Sequence, residues 1–358
     1  MPAESDISSH LLEPPEPGDE RNAFIKLDPP GFFIRHPPKP HLLESFITPD
    51  EQLFQTIHMG AAVVDQSEWM LVVDGLVQKP FAINLEALKR LRCRTITSFH
   101  ECYGSPLKPA TTALWRVGNV QWTGVPLNLL LEIARPLSEA SYVWSEGLDC
   151  GEFAGVEADR YQKDLPMEKA MSDEVLLAFE MNGKPLSQKR GGPVRLVVPG
   201  WFGTNSTKWI SRITLQEHRA TGPFTTRFYN EPDPSAPKGA MRPVWSVEPN
   251  SMIVRPRPDE KLTSPEVRVE GWAWSSRNDN TVEVSFDDGQ SWMGAKVEPR
   301  VDFSWQKFSF VTALDSGDYK VLAKATSRDG LSQPLSGRRN HCHSVAFHVT
   351  GDAVDAIQ

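Results

Sequence analysis

Residues 267–274 read Val-Arg-Val-Glu-Gly-Trp-Ala-Trp, a stretch in which apolar and polar side chains nearly alternate. Residues 281–286 and 319–325 show the same near alternation, and the turn-forming sequence Asp-Asp-Gly follows the second stretch at 287–289. A period of two is typical of strands that bury one face, and Gly-containing turns connect such strands. Residues 246–352 are therefore predicted to form an immunoglobulin-like β-sandwich.

The part of the chain before this sandwich has a different texture. Residues 31–230 mix short apolar runs with helix-like stretches, which predicts a separate α+β domain. Residues 231–245 are rich in Pro and are interpreted as a linker. Residues 1–30 are acidic and Pro-rich, and they are interpreted as a flexible N-terminal arm.

Within the α+β domain, three local signals predict secondary structure. Residues 69–74 are apolar up to a turn at Gly75, which indicates a strand. Residues 85–91 and 126–133 indicate short helices, and Asn84 is placed to cap the first of them.

Composition excludes several function classes. The chain has 358 residues and a net charge of -8, so it lacks the basic excess that a nucleic-acid partner requires. No run of about 18 apolar residues is present, so no membrane span is predicted, and the N-terminus has no apolar signal core. The four cysteines are too scattered for a disulfide scaffold, and a cytoplasmic protein is expected.

Taken alone, the residues that bear chemistry leave alternatives open. Lys189-Arg190, Arg195 and Lys208 can form an anion cradle or a solvated basic edge. His341 and His343 flank Cys342 and offer two metal ligands without a third, so an ordinary strand is favoured. Cys102 is either a small core residue or an exposed thiolate. These signals do not name a reaction.

The order of several segments, however, resembles the sulfite oxidase family. The similar segments are 47–58, 73–77, Cys102-Tyr-Gly-Ser, Gly118-Asn-Val-Gln-Trp-Thr-Gly-Val, 146–149, 178–186, 192–200, Lys208-Trp209, and the Trp-rich stretches 271–274 and 287–292. The resemblance covers roughly residues 32–350 in order. It implies a molybdopterin-binding domain followed by a dimerisation sandwich, with a molybdenum–molybdopterin cofactor.

The resemblance also implies roles for particular residues. Cys102 becomes the metal ligand, and a soft thiolate suits a metal that changes oxidation state. Tyr229 falls at the spacing of the active-site tyrosine. The implied cofactor-binding residues are Phe54, His58, Asp149, Arg190, Arg195, Ser206, Thr207 and Lys208. Among these, Arg190 stands where the family has a histidine, and arginine still suits a phosphate.

The family arginines that hold a small dianion are replaced. They fall on Thr56, Pro106 and Leu107, while Arg300 lies near another of them. Each lost hydrogen bond to a charged group weakens binding by about 1.5–3 kcal/mol, so sulfite is expected to be a poor substrate or none. The expected substrate is a small molecule that need not be sulfite.

The predicted function is molybdenum-dependent oxygen-atom transfer, a two-electron reaction that passes electrons to an external acceptor, either a redox protein or oxygen. We expect a homodimer without haem, because no haem-binding segment is found in the sequence. One alternative is oxidation or reduction of an organic metabolite of the S- or N-oxide type. Another is a non-catalytic interaction protein of the same fold.

Overall fold

The computed structural model describes residues 10–104, 115–233, 235–277 and 279–350, and these residues form two compact units. The first unit contains residues 10–35, 55–96 and 121–245. The second unit contains the described parts of 36–54, 97–120 and 246–350. Residues 36–54 and 97–120 thus group with the C-terminal unit, whereas the sequence placed them in the first domain. The domain limits drawn from sequence remain a prediction.

The described residues are mostly β structure. The strands, numbered in chain order, are Phe24–Pro30 (β1), Phe33–Arg35 (β2), Gln55–Ile57 (β3), Gly60–Val64 (β4), Met70–Gly75 (β5), Phe81–Asn84 (β6), Arg94–Glu101 (β7), Val117–Pro126 (β8), Tyr142–Gly147 (β9), Gly151–Phe153 (β10), Val156–Ala158 (β11), Gln162–Pro166 (β12), Leu176–Met181 (β13), Lys184–Pro185 (β14), Arg195–Val197 (β15), Ile210–Gln216 (β16), Asn230–Pro232 (β17), Met241–Pro243 (β18), Asn250–Arg255 (β19), Glu260–Leu262 (β20), Glu266–Trp274 (β21), Asn280–Ser285 (β22), Met293–Gly294 (β23), Lys296–Val297 (β24), Gln306–Ala313 (β25), Gly317–Ser327 (β26) and His343–Val349 (β27).

Helices are few and short, as the high Pro content predicts. The α-helices of the described residues are Leu85–Arg90 (α1), Leu127–Ala134 (α2), Met167–Ala170 (α3) and Pro223–Thr226 (α4). Asn84 caps α1, because its side chain accepts a hydrogen bond of 2.9 Å from the Ala87 amide, as predicted. In the part of the chain that the structure describes, no helix is long and apolar enough to cross a membrane.

The first unit is organised around a five-stranded sheet in the order β12-β9-β16-β5-β6. β16 pairs in parallel with β5 and antiparallel with β9, and the predicted strand before Gly75 is β5. Gly75 has φ +82°, and a Cβ there would lie 2.3 Å from the Leu215 carbonyl oxygen, so this turn requires glycine. A second sheet has the order β14-β13-β8-β7, with β15 paired to β13. The two helices α1 and α2 cover buried strand residues such as Val73, Leu177 and Ile213.

The second unit is a sandwich of two sheets, β19-β21-β25-β24 and β20-β27-β26-β22-β23. The alternation predicted at residues 267–274 is confirmed in β21, where Val267 and Val269 are buried and Arg268 is exposed. These valines pack with Val321 and Phe347 of the other sheet. The predicted immunoglobulin-like sandwich is therefore present.

The N-terminal segment corrects one expectation. Residues 1–9 lie outside the described residues, but the segment from Leu12 onward is not a flexible arm. Leu12 exchanges backbone hydrogen bonds with Ala82, and β1 pairs antiparallel with β4. The interpretation as a flexible arm was wrong for these residues, because backbone pairing and the buried Glu20 hold the segment on the first unit.

Residues 231–245 also differ from an extended linker. β17 and β18 form a hairpin in which Glu231 pairs with Arg242 across the strands. Trp245 then stacks on Trp201 with ring centroids 5.2 Å apart, and its carbonyl accepts from the Phe202 amide. The segment is thus packed on the first unit.

One buried ion-pair network ties the N-terminal segment to the sheet. Arg212 of β16 donates to Glu20 at 2.6 Å and 3.1 Å and also contacts Asp74 of β5. Glu20 is only 2% exposed. Burial opposes ionisation of Glu20, but the hydrogen bonds and charge of Arg212 outweigh it and hold the pKa of this carboxyl below its ordinary value.

Replacing Arg212 with methionine is expected to destabilise the first unit by about 3 kcal/mol or more, because it leaves two partly or fully buried carboxylates without their cation. Hydrogen exchange of β5 and β16 peptides measures this loss. The loss should shrink as the pH falls below the ordinary glutamate pKa of about 4.3, where the unpaired carboxylates take up protons. Arg277→Met, which removes an exposed pair with Asp329, is the matched control. Equal effects of the two substitutions at neutral pH would contradict this prediction.

Candidate active site

Cys102 lies in the second unit, directly after β7, and is partly exposed. Its amide donates to the Arg116 carbonyl at 2.9 Å, which fixes the chain at the strand end. The Arg116 guanidinium also lies 3.8 Å from the Cys102 sulfur. The sulfur of Cys102 is thus partly exposed at the end of a fixed strand, a position from which it can bind a metal.

The carboxylate of Glu101 anchors the strand that presents Cys102. Its two oxygens accept from Trp274 Nε1 at 2.8 Å and from Asn250 Nδ2 at 3.2 Å, both within the second unit. Burial raises the pKa of Glu101 to about 7, and the charge of Arg339 opposes that rise. Sequence reasoning missed Glu101 and Arg116, because their roles depend on residues far along the chain.

Phe54 belongs to the same unit as Cys102, and its ring stacks on His100 at 5.6 Å between centroids. The other predicted cofactor-binding residues belong to the first unit. Among the positions of the family's substrate arginines, Thr56 lies in β3, whereas Pro106 and Leu107 lie outside the described residues. Arg300 donates to the Ser275 carbonyl at 2.9 Å, and burial lowers its pKa to about 10.

The two arginines of the predicted basic cluster are buried, whereas Lys189 is exposed and Lys208 is half-buried. Arg190 is 6% exposed and Arg195 is 2% exposed. Arg195 donates to the carbonyls of Arg190 at 3.0 Å and Ser206 at 3.1 Å, and its guanidinium lies over the Trp122 ring. Burial, and then the like charge of Arg190, lower the pKa of Arg195 to about 9. A buried pair of like charges favours an anion as ligand.

The remaining residues of this stretch hold the cluster in place. The Ser206 hydroxyl accepts from the Val198 amide at 3.1 Å, and the Thr207 hydroxyl lies 2.7 Å from that of Ser145. Lys208 donates to the Thr56 carbonyl at 2.6 Å. Ser206 and Thr207 thus position the chain, while Arg190, Arg195 and Lys208 supply the charge.

Asp149 is the buried acceptor of the first unit. It is 3% exposed, and its Oδ1 has no hydrogen-bond partner among the described residues. Burial raises the pKa of Asp149 to about 7, and the charges of Lys208 and Arg21 oppose the rise. Arg21, from the N-terminal segment, donates to the Gly147 and Leu148 carbonyls beside it. An acceptor left unsatisfied inside a protein is costly, which points to a hydrogen-bonding ligand. We call Asp149, Arg190, Arg195 and Lys208 the cofactor cradle.

His58 and Tyr229 form a hydrogen-bonded pair between His58 Nε2 and the tyrosine hydroxyl. Aromatic rings surround the imidazole: Phe153 lies 4.8 Å away, Phe224 5.3 Å and Tyr161 5.4 Å, measured between centroids. Tyr229 has φ +56°, and its carbonyl accepts from the Val244 amide, so its backbone is held by the segment that follows. The pair is a half-buried donor–acceptor unit beside aromatic rings.

The histidines at 341 and 343 do not form a metal centre with a third ligand. His343 Nδ1 accepts from the Ile253 amide at 2.9 Å, and its ring packs on Trp115. Among the residues that the structure describes, no group of three or more His, Cys, Asp or Glu side chains is placed to hold a metal ion.

Comparison with known proteins gives the same assignment for both halves of the chain. The model of the oxidoreductase molybdopterin binding domain matches residues 58–224, and that of the Mo-co oxidoreductase dimerisation domain matches 241–341. Human mitochondrial sulfite oxidase is 29% identical over 347 residues, which cover 88% of this chain. The chain belongs to the sulfite oxidase family. That family consists of molybdenum-dependent oxidoreductases.

Other members are similar over comparable lengths. The matched part makes up 62% of the human enzyme, whereas chicken sulfite oxidase is 28% identical over 94% of this chain and 78% of its own length. Among solved structures, the sulfane dehydrogenase SoxCD from Paracoccus pantotrophus has a TM-score of 0.76 and 26% identity. That similarity covers 97% of this chain and 90% of the other, so it extends over both units.

Proposed function

We propose that this chain is a molybdenum-cofactor oxidoreductase that carries out oxygen-atom transfer on a small substrate. The observation that carries the proposal is the cofactor cradle. In it, the buried Asp149 Oδ1, which has no hydrogen-bond partner among the described residues, lies in the same unit as the buried cations Arg190 and Arg195. Pterin N–H groups suit the Asp149 carboxylate, and the pterin phosphate suits Arg190, Arg195 and Lys208. The residues present therefore fit the cofactor that the family binds.

Each residue has a defined task in this proposal. The bound cofactor supplies two-electron redox chemistry at molybdenum. Cys102 provides the sulfur ligand, and the Arg116 guanidinium contacts that sulfur at 3.8 Å. The cradle holds the cofactor's pterin end. Because its arginines are buried, water competes less with the cofactor for their hydrogen bonds. Tyr229 donates a hydrogen bond to the reacting oxygen of the substrate, and His58 exchanges a proton with the tyrosine hydroxyl.

Sulfite is not the favoured substrate. Thr56, Pro106 and Leu107 replace three cationic positions of the family, so a small dianion lacks its charge-assisted contacts. SoxCD, a sulfane dehydrogenase, shares this fold and supports another sulfur compound as a substrate. An organic S- or N-oxide is the second candidate, because the aromatic rings around His58 and Tyr229 suit an apolar group.

The electron acceptor and the oligomeric state belong to the same proposal. Electrons pass to an external acceptor, a redox protein or oxygen, and the chain acts without haem. The match to a dimerisation domain over residues 241–341 supports a homodimer.

A substrate panel with an artificial electron acceptor or donor tests the proposal. The panel contains sulfite, a sulfane compound, and organic S- and N-oxides. Sulfite is expected to give a kcat/KM lower by at least about 100-fold than the best substrate, since two lost charged hydrogen bonds cost about 3 kcal/mol or more. Efficient sulfite oxidation at micromolar KM would contradict the substrate assignment. No turnover of any compound by molybdenum-loaded protein would contradict the function.

A further inference from the structure

Lys163 is a buried lysine that the proposed mechanism does not yet use. It lies in β12, and its side chain is 0% exposed. Its ammonium donates to the Phe224 carbonyl at 3.1 Å and lies 5.8 Å from the centre of the Tyr229 ring. Lysine is rarely buried completely, because the charge loses its hydration, so a specific environment must hold it.

Charged and aromatic groups lie around Lys163 and Tyr229. The neighbouring Asp164 accepts hydrogen bonds from Arg219 at 2.9 Å and 3.1 Å and from the Ala220 amide, and its negative charge also acts on Lys163. The rings of Tyr161 and Phe224, whose carbonyl accepts from Lys163, pack against each other with centroids 4.3 Å apart. His58 is a second titratable group that faces Tyr229, and it shares the hydrogen bond of the tyrosine hydroxyl.

A cation over the face of a phenol ring acts on the hydroxyl. The ring's electrons are attracted to the ammonium, and this attraction is stronger for the electron-rich phenolate than for the neutral phenol. The hydroxyl therefore becomes a stronger donor to its partners. The effect depends on the charge of Lys163, and burial lowers the pKa of this lysine to about 8, against the opposing charge of Asp164.

We propose that Lys163 is a positioning residue that sets the strength of Tyr229 as a proton donor in the active site. Lys163 touches neither substrate nor cofactor in this role; it acts through the tyrosine ring. The inference rests on the proposed role of Tyr229 in oxygen-atom transfer. Below about pH 8 the charged ammonium of Lys163 strengthens Tyr229 as a donor. Above that pH the neutral amine of Lys163 no longer does so.

Nuclear magnetic resonance of the purified protein, labelled with carbon-13 at the tyrosine ring carbon that bears the hydroxyl, tests this role. The chain has five tyrosines, and Tyr229→Phe identifies the signal. In Lys163→Met, the phenol of Tyr229 should lose its proton at a pH higher by about one unit than in the unaltered protein. Lys163→Arg keeps the cation and should restore most of the difference.

Lys169→Met is the matched control. Lys169 is also partly buried and lies over an aromatic ring, but its ring is that of Trp201, at 5.8 Å, and its ammonium pairs with Glu174. This substitution should leave the Tyr229 titration where it is in the unaltered protein. Thermal unfolding of each variant shows whether it is folded. If Lys163→Met does not fold, Lys163→Gln takes its place, because glutamine keeps a donor for the Phe224 carbonyl.

The unaltered protein provides a second measurement that needs no variant. Its Tyr229 signal should shift with an inflection at about pH 8, as Lys163 loses its proton. A folded Lys163→Met protein with an unchanged Tyr229 titration would overturn the inference, and so would a Tyr229 signal without that inflection. Neither signal depends on turnover. A protein that shows both but contains no molybdenum would leave the Lys163–Tyr229 interaction standing and remove its catalytic role.

Discussion

Cys102→Ser is expected to lose molybdenum during purification and to lower kcat/KM by more than about 100-fold with the best substrate. Loss of a partner that only orients a metal ligand typically costs 10–100-fold in affinity or activity, so loss of the protein's thiolate ligand should cost more. Serine's hydroxyl is harder and far less acidic than a thiol, so it is a poor replacement for a soft thiolate. Elemental mass spectrometry and an acceptor-linked assay measure both losses.

Cys93→Ser is the control for this substitution. Cys93 is exposed and stands immediately before β7, the strand that leads to Cys102. It should keep the metal content and the activity of the unaltered enzyme. Retention of molybdenum and turnover in Cys102→Ser would show that this cysteine is not the ligand, and the assignment of the site would have to be abandoned.

Asp149→Asn is expected to act in opposite directions on stability and on cofactor binding. Burial raises the pKa of Asp149 to about 7, so the cofactor-free folded state holds a proton there that the unfolded chain releases near pH 4. The free energy of unfolding therefore falls as the pH rises from about 4 to 7. At pH 8 the ionised carboxylate destabilises the cofactor-free protein, on the order of 2–4 kcal/mol, because it is buried and incompletely paired.

Asparagine carries no charge, so the cofactor-free variant should be more stable than the unaltered protein at pH 8, and the difference should vanish near pH 4. The same substitution should weaken retention of the cofactor by 10-fold or more, on the order of 1.4 kcal/mol, because a charged acceptor for pterin N–H groups is lost. Thermal unfolding across this pH range and the pterin content measure the two effects.

Glu157→Gln serves as its control. Glu157 is exposed in the β10–β11 hairpin shortly after Asp149 and should change neither quantity. A variant Asp149→Asn that is less stable than the unaltered cofactor-free protein at pH 8 would show that the carboxylate is satisfied by the protein itself. The cradle would then have no unsatisfied acceptor that calls for a ligand.

The fold was predictable where the pattern is local. The alternation at residues 267–274 predicts β21, because a strand with one buried face alternates apolar and polar residues. The apolar run before Gly75 predicts β5, because a strand buried on both faces is apolar throughout. Asn84 was predictable as a cap for the same reason, because capping acts within three residues.

The N-terminal segment was not predictable from local pattern. Its acidic, Pro-rich composition is typical of a solvated arm. Glu20 is nevertheless buried, because its partner Arg212 lies 192 positions away in β16. Local composition carries no information about a partner so far along the chain, so the acidic composition alone led to the wrong interpretation of a flexible arm. The Pro-rich residues 231–245 were misread for a similar reason, as Trp201 and Phe202 hold Trp245 from another part of the chain.

The candidate site was predictable only in part. Cys102, Asp149 and Tyr229 came from the resemblance to a family, since a lone cysteine, aspartate or tyrosine has no distinctive pattern. The structure adds that Asp149 is buried with a free acceptor atom and that Arg190 and Arg195 are buried. Lys163 had no sequence signal at all, because a lysine in a strand is usually a solvated residue.

The most direct test of the central claim is the molybdenum and pterin content of the unaltered protein, produced in a host that makes the cofactor. Elemental mass spectrometry should find close to one molybdenum per chain, with a matching amount of extractable pterin. Protein that is folded but contains neither molybdenum nor pterin would contradict the account. The chain would then retain the shape of the sulfite oxidase family without its chemistry, and the alternative of an interaction protein would take its place.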